Sequence, residues 1–77
     1  MILEKELDRA EELAGAISML EKLARFSRDS EVFHLALGFN RNADKCAKRA
    51  KYQRRGAERL RKTLITHLGK MQEKLKQ

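Results

Sequence analysis

The chain has 77 residues, 38% of them charged, with a formal net charge of +7, no Pro or Trp, one Tyr and one Cys. That length allows one domain, residues 1–77, with a marginal core. A single cysteine excludes an intrachain disulfide framework and a multi-cysteine zinc site, and no stretch approaches the roughly 20 apolar residues of a membrane span.

Ala, Glu, Lys, Leu and Arg dominate and β-branched residues are scarce, so the fold class is all-α, with the composition of long helices or coiled coils. Residues 2 to about 26 predict a first helix. Leu3, Leu7, Ala10, Leu13, Ile17, Leu20 and Ala24 recur every three or four positions, as one face of a helix requires. Glu4, Asp8, Glu11 and Glu12 cluster on the other side, near the N-terminus, where acids complement the helix dipole. Gly15 interrupts the pattern at a cost of roughly 1 kcal/mol against Ala; a close helix crossing would explain its use, and simple tolerance explains it equally well.

Ser27, Asp29 and Ser30 carry capping chemistry, which predicts a break and a second, short helix over about 31–37. Its residues, Val32, Phe33, His34, Leu35, Ala36 and Leu37, are apolar nearly all round, the pattern of a buried helix. Gly38 offers a stop, and Asn40 or Asn42 the next cap.

The third helix, about 42–76, organises the rest. Its apolar front runs Cys46, Ala50, Ala57, Leu60, Leu64, Leu68, Met71 and Leu75, close to the 3.6-residue period. Cys46 lies on this front and reads as a small buried hydrophobe. Long helix, short helix and longer helix make an elongated hairpin with little interior. Leu60, Leu64, Leu68, Met71 and Leu75 then predict an interface with a second chain, and a homodimeric helical bundle is the economical solution.

Charge is unevenly placed. Residues 1–31 hold eight acids and five bases, a net of −3, whereas residues 41–62 hold ten bases and two acids, a net of +8. With Ala57 at the centre of the front, Arg41, Lys48, Arg55, Arg59 and Lys62 fall on the back, flanked by Lys45 and Tyr52. From Arg41 to Lys62 this ridge spans about 32 Å, close to one turn of duplex. Arginine binds phosphate in bidentate fashion, and one tyrosine offers a stacking surface for an unpaired base. A helix-turn-helix centred on Gly38 puts apolar Phe33, Leu37, Phe39 and Ala47 at suitable positions. It also puts His34 where a small residue is wanted and Asp44 at a buried position, which argues against it.

No enzyme signature is present. Gly15, Gly38, Gly56 and Gly69 are isolated, so no phosphate loop exists, and the two histidines are not spaced as helical metal ligands. No cofactor or metal is expected. The apolar face of the third helix lacks Trp and Phe, which argues against a membrane-surface anchor. No basic segment followed by an apolar run opens the chain, which predicts a cytoplasmic location. The expectation is an accessory or regulatory protein that binds the backbone of DNA or RNA through the ridge. The alternative is an adaptor or inhibitor docking on a larger protein, which the acidic face of the first helix favours.

Overall fold

The computed structural model describes the backbone of residues 2–76 and the side chains of residues 4–76. Two α-helices, α1 (Ile2–Ala36) and α2 (Asn40–Lys76), pack against each other as an antiparallel hairpin. The rod measures 60 × 15 × 11 Å, with a radius of gyration of 17.4 Å, against about 11–12 Å for a compact domain of this length.

The two helices share one seam. In α1 the buried and half-buried positions include Glu6, Ala10, Leu13, Ile17, Leu20, Ala24, Ser27, Glu31 and His34; in α2 they include Ala43, Cys46, Ala50, Gln53, Ala57, Leu60, Leu64, His67 and Met71. The steps alternate three and four, the 3.5-residue repeat of a coiled-coil seam. Small side chains, Ala24, Ser27, Ala43, Cys46, Ala50 and Ala57, fill the half nearest the turn and are all buried. They let the backbones approach, and at Gly56 an added Cβ would lie 3.3 Å from Leu20 Cδ1. Ser27, 3% exposed, donates its hydroxyl proton to Gln53 Oε1 at 2.9 Å. This hydrogen bond satisfies a buried polar group and fixes the register between the helices.

The expected middle helix is not separate. Residues 31–37 continue α1 without a break, as far as Ala36. Of the expected caps, Ser27 turns its hydroxyl across the seam to Gln53, and Asp29 and Ser30 lie within the continuous helix. Nor is this segment buried. Val32, Phe33 and Leu35 are 60%, 61% and 53% exposed, because one neighbouring helix can cover only one stripe of α1.

Gly38 does end the helix. Its φ of +80° is the left-handed conformation glycine adopts without steric cost. Phe39 N–H donates to the His34 carbonyl at 2.8 Å and Gly38 N–H to the Leu35 carbonyl at 3.1 Å, the paired bonds of a Schellman motif. The His34 and Phe39 rings pack beside them, centroids 6.3 Å apart. Phe39, rather than Asn40 or Asn42, takes the N-cap position before α2, since its carbonyl accepts the Ala43 N–H at 3.0 Å. Leu37 to Phe39 are the whole connection.

The surface assigned to a second chain is partly taken. Leu60 and Leu64 are half-buried and Met71 is buried, all on the seam against α1 of the same chain. Leu68 and Leu75 lie off it, 43% and 67% exposed. His67 and Lys74 take the intervening seam positions. His67 Nε2 donates to the Glu6 carbonyl at 2.8 Å, and the Lys74 ammonium pairs with the Glu6 carboxylate. The opposite helix therefore covers part of the apolar front, and Leu68 and Leu75 remain outside the seam.

Candidate nucleic-acid interface

Seven residues of α2, Arg41, Lys45, Lys48, Tyr52, Arg55, Arg59 and Lys62, are all exposed. They step four, three, four, three, four, three, the alternation of the seam itself, so they form a stripe that keeps to the side of α2 facing away from α1. Tyr52, 79% exposed, stands in the middle of the stripe. Among the described residues Lys48 is the one ridge cation in an ion pair, with Asp44 at 3.1 Å. That pair is four residues apart on an exposed surface, where such contacts contribute about 0.3–0.5 kcal/mol, and it yields readily to another anion.

The stripe's chemistry follows from its placement. Successive cations rise about 4.5–6 Å along a rigid helix, and about 10 Å across Tyr52 between Lys48 and Arg55. The shorter steps lie within the roughly 8–10 Å screening length at physiological salt and the longest is close to it, so their fields overlap along the stripe. The acids of α1 stand apart from it. Asp8, Glu11 and Glu12 are exposed near the open end of the hairpin, whereas the ridge runs from the turn to about two-thirds of the way along α2. This acidic cluster and the basic ridge therefore lie toward different ends of the rod and on different helices.

Two features of this surface escape a helix-by-helix reading of the sequence. Arg25 and Arg28, on α1, join Arg54 and Arg61 of α2 around one groove, although residues 1–31 are acidic on average. The heptad register of both helices was the signal that relates them. On another side of α1, Met19, Leu23, Phe26 and Phe33 are 65%, 43%, 69% and 61% exposed and recur at heptad-compatible spacing.

Elsewhere, Cys46 is buried with its Sγ 3.8 Å from His34 Nδ1. Among the described residues no group of three or more His, Cys, Asp or Glu side chains is placed to hold a metal ion. No described helix is long and apolar enough to cross a membrane. Compared with protein-family models, curated proteins and solved structures, the chain matches none of them.

Proposed function

We propose that the protein binds the phosphate backbone of DNA or RNA through the α2 ridge, in an accessory or regulatory role. The observation that carries this reading is the exposed stripe from Arg41 to Lys62, in which five of the six cations have no ion pair among the described residues. A merely solubilising helical face interleaves both signs; here only Asp44 and Glu58 interrupt the bases of residues 41–62, over about 32 Å. Contacts to phosphate release condensed counterions, so binding through such a line is strongly salt-dependent and weakly sequence-dependent.

The test replaces Arg55, Arg59 and Lys62 together with Ala. All three are exposed, so the helical spectrum and melting temperature should be nearly unchanged. Gel-shift titrations at two salt concentrations should show weaker binding, and the slope of log affinity against log salt should flatten by roughly 2–3 units. Wild-type protein that binds neither DNA nor RNA at low salt would sink the reading.

A second reading rests on the exposed apolar stripe of α1. Met19, Leu23, Phe26 and Phe33 are a costly surface to leave in water, and they support a protein contact, either in a homodimer or with a larger partner as an adaptor or inhibitor. Light scattering separates the two. A dimer that Phe26→Asp dissolves supports self-association, and a monomer at high micromolar concentration leaves the larger partner.

A further inference from the structure

Along one edge of the seam, facing residues repeat in register. Glu21 of α1 and Arg61 of α2 form an ion pair there. One heptad on from Glu21 is Arg28, and one heptad back from Arg61 is Arg54, so these two arginines occupy the same relative position across the helices as the ion pair does. Where the neighbouring layer is complementary, this one juxtaposes like charges, an arrangement that destabilises a helix pair. Neither Arg28 nor Arg54 has an ion pair among the described residues.

The arginines border a groove of about 410 Å³, within the roughly 300–1,000 Å³ range of small-ligand sites. Ala24 and Ala57 line it and are 5% and 2% exposed, so a low apolar floor lies beneath taller charged walls. Arg25, Arg28, Arg54 and Arg61 supply four positive charges and Glu21 and Glu58 two negative ones, a net of +2. The Glu21–Arg61 pair occupies one end, which leaves Arg25, Arg28 and Arg54, with Glu58, to line the rest.

We infer that this groove is a binding site for a phosphate monoester dianion, held between Arg28 and Arg54 across the seam and separate from the α2 ridge. A monoester carries about −1.5 to −2 at neutral pH, which matches the net charge of the groove, whereas a backbone diester carries half of that. Guanidinium forks meet phosphate oxygens with two parallel hydrogen bonds, and a dianion between them converts a repulsive layer into an attractive one. The monoester belongs either to a small phosphorylated molecule or to the terminal phosphate of a nucleic-acid strand. The site does not depend on the ridge's binding to nucleic acid.

The experiment titrates inorganic phosphate into the full chain at constant ionic strength, following the arginine Nε resonances and the melting temperature. Phosphate should shift the Arg28 and Arg54 signals and raise the melting temperature more than an equivalent of chloride. In the double variant Arg28→Gln, Arg54→Gln, affinity for phosphate should fall roughly tenfold or more. Without ligand, that variant should melt no lower than wild type, because a like-charge layer has been removed; a structural role for these arginines predicts the opposite. The ridge variant lacking Arg55, Arg59 and Lys62 should keep its phosphate response. Oligonucleotides of one sequence, with 5′-phosphate or 5′-hydroxyl, distinguish the sources: a preference for the phosphorylated end that the double variant loses identifies a strand terminus, and phosphate binding without that preference identifies a small molecule. Wild type that shows no response to millimolar phosphate, or a double variant that responds like wild type, overturns the inference.

Discussion

Gly15 and Gly56 both sit inside helices and have opposite surroundings. A Cβ on Gly56 would press on Leu20 Cδ1 at 3.3 Å, whereas one on Gly15 would meet nothing within 4 Å. The tight contact that a glycine suggests in the sequence is therefore at Gly56, beside the seam and against a leucine side chain, and not at Gly15. Gly15 has an ordinary helical φ and only costs helix propensity. Gly15→Ala should stabilise the protein by about 1 kcal/mol, which for a domain of this size raises the melting temperature by roughly 4–8 °C. Thermal denaturation followed by circular dichroism measures this directly. A fall instead would mean that another surface packs against that side of α1. At Gly56 the same substitution sets propensity against displacement of a half-buried leucine, so the gain should be smaller.

Between the helices, burial is confined to the seam, and this sets which apolar residues matter. Leu13 and Ile17 are 5% and 7% exposed, and truncating either to Ala should cost about 2–5 kcal/mol. Phe33, larger but 61% exposed, should change stability by only about 0.5 kcal/mol when replaced by Ala. Urea denaturation of the three variants checks the contrast, and a large loss at Phe33 would place a covering partner on that stripe. The all-α class, the long α2, the stop at Gly38 and the exposure of the basic ridge were legible in the sequence because each depends on local chemistry or single-helix periodicity. The continuity of α1 was not. Ser27 looks like a cap, yet its hydroxyl is used sideways on Gln53, a choice that only the second helix can dictate. Apolar periodicity points to Leu68 and Leu75, but His67 and Lys74 take the seam positions, because each has a polar partner on Glu6 that periodicity does not reveal. The groove around Arg28 and Arg54 was hidden for a related reason: charge averaged along one helix does not report which residues face each other across two.

For the molecule as a whole, α1 and α2 are held in one chain by three residues and one unusual dihedral angle. Gly38, at φ +80°, stands where a β-branched side chain would be strained by roughly 1–2 kcal/mol. In Gly38→Val the relief is to let α1 run on into α2 as one helix of about 75 residues, about 110 Å long. Two such chains, laid antiparallel, would rebuild every seam contact between molecules instead of within them, a domain-swapped dimer. Light scattering should find twice the wild-type mass with an unchanged helical spectrum, and a monomeric variant would show that the turn tolerates the strain. The turn is thus a tether as well as a corner. It supplies α1 to α2 at a fixed effective concentration, so pairing of the two helices does not depend on how much protein is present. Once the tether is straightened the seam becomes a bimolecular equilibrium, and the melting temperature should then rise with protein concentration.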